Sequence, residues 1–61
     1  MPEVYIHAAK ERTLEQKRAL VKDITDAIVR HYEVNADAVL VRLYTDDPES
    51  KAKGGVLFSD R

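Results

Sequence analysis

The chain has 61 residues, 34% of them charged, with a formal net charge of −1, two histidines and no cysteine. That length allows one domain at most, and one that buries only about 60% of its unfolded surface, so partner chains are expected to complete the core. The near-neutral charge argues against nucleic acid as a partner. The missing thiols exclude disulfides and thiol chemistry, two histidines are too few for a usual metal site, and no apolar run approaches the roughly 18 residues of a membrane span.

Residues 3–9 alternate: Val4, Ile6 and Ala8 point one way, and Glu3, Tyr5 and His7 the other. This pattern predicts a strand. Pro2 stands at its entry. A small second residue permits removal of the initiator methionine, and Pro2 would then carry a free secondary amine. An ordinary α-amino group titrates at about 7.7–8.0. An apolar pocket or nearby cations would lower that value towards neutrality, where general acid–base catalysis works best. Taken alone, Pro2 reads more readily as a strand-entry residue tolerated at a sheet edge.

Lys10-Glu11-Arg12 reads as a polar turn, and Thr13-Leu14-Glu15-Gln16 as a capping box. A helix is predicted from about Leu14 to His31 or Tyr32. Its apolar stripe is Leu20, Val21, Ile24, Ala27, Ile28 and Tyr32. The opposite face carries Glu15, Arg18, Lys22, Asp26 and Arg30, a solvated face on which Asp26 and Arg30 stand in the favourable i, i+4 order. Asn35 or Asp37 is expected to end the helix or make the turn that follows.

Residues 38–44 are predicted to form the second strand. Val39, Val41 and Leu43 share one face; Leu40, Arg42 and Tyr44 share the other. Both sets are largely apolar, as in a strand covered on two sides, and Arg42 is the exception. A polar loop, Thr45 to Ser50, leads to Lys51-Ala52-Lys53-Gly54-Gly55. The run Val56-Leu57-Phe58 is expected to find no strand partner within the chain and to act, with residues 53–58, as an arm on a neighbouring subunit.

The order strand–helix–strand forces a crossover, so the two strands should be parallel and the connection right-handed. The fold class is therefore α/β (α+β), a single β-α-β subunit in one domain spanning residues 1–61. Two strands and one helix are not independently stable. Edge pairing with a second chain would give a four-stranded dimer sheet, and the apolar residues on its second face call for assembly beyond a dimer. No charged start precedes an apolar signal region, so a cytoplasmic protein is expected.

The chain resembles the 4-oxalocrotonate tautomerase family over essentially its whole length. The resemblance rests on Pro2 opening the first strand, the Ile6-His7 pair, Arg12 followed by Thr13-Leu14-Glu15-Gln16-Lys17, the helix length, and Gly54-Gly55-Val56-Leu57 near the end. It implies a hexamer built as a trimer of dimers, with Pro2 as the catalytic base that moves a proton between an enol and the corresponding keto acid. It also implies a small enol or 2-oxo acid substrate, no cofactor, and a place in the degradation of aromatic compounds. Arg12 matches the family's first substrate-binding arginine. The second falls on Leu40 and is missing there, while Arg42 lies two residues on, on the same strand face. The family's pocket phenylalanine falls on Lys51, a cation able to polarise an oxygen or bind a carboxylate.

Two functional readings follow. In the first, Pro2 is the base, Arg12 grips the carboxylate as a bidentate fork, and Arg42 or Lys51 stabilises the developing enolate. Hydratase or dehalogenase chemistry is a lesser branch of it, needing Glu3, Glu11, Asp46, Asp47 or Glu49 to activate water. In the second, the chain is a weakly active or structural subunit of a hetero-hexamer with a related short chain, lending residues to its partner's site. Plainer roles stand beside these: Arg12 as a solvated turn residue, Arg42 in a structural ion pair, His7 at a subunit contact, and Tyr5 and Tyr44 as packing residues.

Overall fold

Strand β1, Glu3–Ala8, pairs in parallel with β2, Leu40–Thr45, in the register Val4↔Val41 and Ile6↔Leu43. The computed structural model describes all 61 residues. Helix α1, Leu14–Tyr32, joins the two strands. The expected alternation is present in β1, where Val4, Ile6 and Ala8 are half-buried and Glu3, Tyr5 and His7 exposed. Val41 and Leu43 of β2 and Val21, Ile24, Ala27 and Ile28 of α1 are half-buried too, and they make up the single apolar layer between helix and sheet.

The capping box forms as expected. The Gln16 backbone N–H donates to the Thr13 hydroxyl at 3.1 Å, and the Thr13 N–H donates to Gln16 Oε1 at 3.0 Å. The other end of α1 falls at Tyr32, as expected. Glu33 ends the helix in the left-handed region, φ 55° and ψ 48°, and its N–H donates to the Val29 carbonyl at 3.0 Å. Neither Asn35 nor Asp37 stops it. On the solvated face Asp26 pairs with Lys22 at 2.8 Å and not with Arg30, whose guanidinium lies 3.5 Å from the His31 ring. Lys22 reaches forward one turn and Arg30 would have to reach back one turn, so the two compete for one carboxylate.

β2 begins at Leu40, later than expected, because Ala36–Ala38 close a turn of 3-10 helix. The N–H groups of Ala38 and Val39 donate to Asn35 and Ala36 carbonyls at 2.9 and 3.0 Å and so are taken before the strand starts. The run Val56–Phe58 does have a partner within the chain. Strand β3, Ala52–Lys53, pairs antiparallel with β4, Val56–Leu57. Gly54 and Gly55 join them with φ of 61° and 82°, the two positive values a tight type I′ hairpin turn requires. The Phe58 N–H extends the hairpin to the Lys51 carbonyl at 2.8 Å.

None of the 61 residues is fully buried. The radius of gyration is 14.8 Å, against about 10–11 Å for a compact chain of this length. The accessible surface is 5067 Å², where a compact monomer of this mass exposes about 4,000 Å². The protomer is an open layer, and no helix in it is long and apolar enough to cross a membrane.

Candidate active site

Pro2 is half-buried at the entry of β1, and its carbonyl accepts the Leu40 N–H at 3.0 Å. This bond extends the parallel ladder by one step and fixes the residue that precedes Glu3. Proline lacks only a donor that this edge position does not use. Met1 is 84% exposed, so no packing opposes its removal. Leu40, 37% exposed, pairs with Glu3 in register and touches Pro2 through that backbone bond.

From this corner a row of side chains runs along the sheet face turned away from α1. Tyr5 stands opposite Arg42 and His7 opposite Tyr44. The Tyr5 hydroxyl donates to Glu3 Oε1 at 2.7 Å, and that bond, with the repulsion of the same carboxylate, holds the phenol above its ordinary pKa. Arg42 Nη1 lies 3.5 Å from the Tyr44 hydroxyl, which is the main stabiliser of its charged form. Tyr44 meets Tyr5 edge to face and stacks on His7 with ring centres 4.4 Å apart. His7 Nδ1 is 3.2 Å from Asp46 Oδ1.

Arg12 lies beyond the opposite end of β1, in the turn before α1. It borders a groove of about 200 Å³ whose floor is Ile6, Ala8, Leu20 and Leu43 and whose rim carries Lys10, Arg12 and Lys17. Arg12 Nη1 donates to the Lys10 carbonyl at 3.1 Å. Glu11 sits between these cations: it pairs with Lys17 and accepts from the Thr45 hydroxyl at 3.0 Å. Those bonds hold its carboxyl below the usual carboxylate range, with Lys17 the largest cause.

Lys51 is at this same end, 3.9 Å from Asp46 Oδ2 and over the Phe58 ring at 5.4 Å. It is the only one of the three candidate cations with a carboxylate within 4.0 Å. The ion-pair role considered for Arg42 therefore has no partner within its own chain.

The five residues singled out in the sequence fall into two groups. Pro2 and Leu40 adjoin, with Arg42 further along the same sheet face. Arg12 and Lys51 lie at the far ends of the strands. Six strand steps separate Pro2 from Ala8, about 20 Å at the usual rise. One chain does not bring its proline and its Arg12 to a common point. Sequence reasoning passed over Glu11 as an organiser, because its partner Thr45 is 34 residues away and no local spacing relates the two.

The family model for tautomerase enzymes matches residues 2–61. The chain belongs to the tautomerase family. It is 41% identical to a probable tautomerase of Bradyrhizobium diazoefficiens over all of its own length and 91% of that protein's. It is 47% identical to a probable tautomerase of Streptococcus pneumoniae over 80% of each chain. Among solved structures, a 4-oxalocrotonate tautomerase homologue superposes with a TM-score of 0.86 at 34% identity, covering 100% of this chain and 97% of the other. The β-α-β layer and the hairpin arm are thus a tautomerase architecture, and the match includes Pro2, the residue just before β1.

Proposed function

We propose that this tautomerase isomerises a carboxylate-bearing enol or 2-oxo acid, with Pro2, freed of Met1, as general base. The observation that carries the reading is that this member of the tautomerase family holds Pro2 half-buried at the entry of β1, where a ladder bond to Leu40 keeps its backbone in place. The unprotonated Pro2 nitrogen takes the enol hydroxyl proton. The oxygen's electron pair closes a carbonyl as the C=C pair moves to carbon, and that carbon receives the proton back from the prolinium. No redox partner or cofactor is needed for the balance. Arg12, from another chain of the assembly, grips the carboxylate as a bidentate fork. Arg42 or Lys51 donates to the oxygen that gains charge. The geometry favours Arg42 for a site in its own chain, since it shares Leu40's sheet face and has no carboxylate partner, whereas Lys51 is engaged by Asp46.

The assembly proposed is a hexamer, of this chain alone or with a related short chain. A chain with no buried residue and an excess of exposed surface supports it. A specific observation also favours a second reading. Leu40, bonded through its backbone N–H to Pro2, is an apolar residue where the resemblance places the family's second arginine, so the chain could instead lend residues to a partner's site.

The deciding experiment is mass determination of the N-terminus together with a keto–enol assay on 2-hydroxymuconate and phenylenolpyruvate. The expected result is a chain beginning at Pro2, active alone on at least one substrate. Pro2→Ala should then lose most of the rate while keeping the fold, since a primary amine differs in basicity and geometry. A fully active Pro2→Ala protein would refute the base assignment, and an inactive homo-oligomer would favour the second reading.

A further inference from the structure

The turn between β1 and α1 that carries Arg12 has little structure of its own. Residues 9–12 make no backbone–backbone hydrogen bond. A single side chain braces this turn with one contact inside it and two to the rest of the fold. Glu11 Oε1 accepts the Arg12 backbone N–H at 3.2 Å and pairs with Lys17 of α1, and Oε2 accepts the Thr45 hydroxyl at the end of β2. One carboxylate thus joins turn, helix and strand on the rim of the groove. The pairing also takes Lys17 out of play as a free cation. The Arg12 guanidinium spends one donor on the Lys10 carbonyl and keeps the rest of its five for a ligand.

We propose that Glu11 is a positioning residue for Arg12, tying the turn to α1 and β2 so that the guanidinium is held over the groove to receive the substrate carboxylate. This rests on the reading that Arg12 binds that carboxylate. It has a sign that simple electrostatics opposes. An acidic residue beside an anion site repels the anion, so its removal should improve binding. A positioning residue gives the reverse, because loosening the turn misplaces the fork.

The test compares Glu11→Ala, Glu11→Gln, Thr45→Val, Arg12→Ala and the Glu11→Ala/Arg12→Ala double variant on phenylenolpyruvate and on its methyl ester, with the oligomeric state checked for each. Glu11→Ala should raise KM for the acid roughly tenfold, with kcat little changed and the ester unaffected. Glu11→Gln keeps one oxygen to accept the Arg12 N–H and an amide N–H that can donate to the Thr45 hydroxyl, and should recover much of the loss. The double variant should be no worse than Arg12→Ala alone. Should Glu11→Ala fail to assemble, Thr45→Val decides: a raised KM for the acid supports the inference and an unchanged one overturns it. A KM that stays level or falls in Glu11→Ala, while Arg12→Ala raises it, overturns the inference alone. An Arg12→Ala protein with unchanged KM overturns the carboxylate reading and the inference with it.

Discussion

Three cations stand ready around the sheet, and their surroundings differ enough to separate their roles. Lys51 is shared between the Asp46 carboxylate and the Phe58 ring, so recruiting it means giving up contacts already made. Arg42 has only a long contact to the Tyr44 hydroxyl, and Arg12 only a carbonyl of its own turn. A donor held ready for an oxyanion is worth roughly a hundredfold or more in rate; an exposed structural contact affects the rate not at all. Arg42→Ala is therefore expected to lose activity on this scale, Lys51→Ala to lose less, and the double variant to remain assembled. Single and combined variants assayed by kcat, with sedimentation alongside, check this. A double variant that is hexameric and fully active would show that neither cation serves the chemistry.

At the scale of elements, what is local in sequence is also what the sequence makes legible. Helix α1 announces itself through Thr13, Gln16 and its apolar stripe, and its start is where the capping box places it. That box has a measurable weight: Thr13→Ala should cost about 1 kcal/mol, read as a lowered denaturation midpoint. Its end at Tyr32 is legible too, but the cap residue is not, since Glu33 takes a left-handed conformation that the sequence would sooner give to Asn35. The start of β2 is hidden because Ala38-Val39 continue its apolar run while their N–H groups turn back into a 3-10 bend. The hairpin was obscured because β3 is only Ala-Lys, too short and polar to stand out, although Gly54-Gly55 is its turn signal. Of the candidate site, Pro2 stands out in the sequence by position, and Arg12 by its place before the capping box. The Glu11 clamp does not, being made of bonds to residues that only folding brings near.

The whole molecule is an open layer whose extents are 43 × 24 × 14 Å. Its half-covered residues gain little from folding alone, so assembly and folding should be one process. The thermal midpoint should rise with protein concentration, and sedimentation at micromolar concentration should show a hexamer with no folded monomer. A folded monomer, or a midpoint independent of concentration, would contradict this.

The distance between Pro2 and Arg12 has a consequence for mixed populations. If every site takes its base from one chain and its guanidinium from another, two crippled chains can repair each other. Pro2→Ala chains still carry a sound Arg12, and Arg12→Ala chains a sound Pro2. Unfolded together in equal amounts and refolded, they should draw intact sites at random, roughly a quarter of the total. Each variant refolded alone should regain nothing. Complementation of this kind counts how many chains make one site without a view of the assembly. Its absence would mean that proline and arginine come from the same chain after all, through a movement of the turn that the resting protomer does not display.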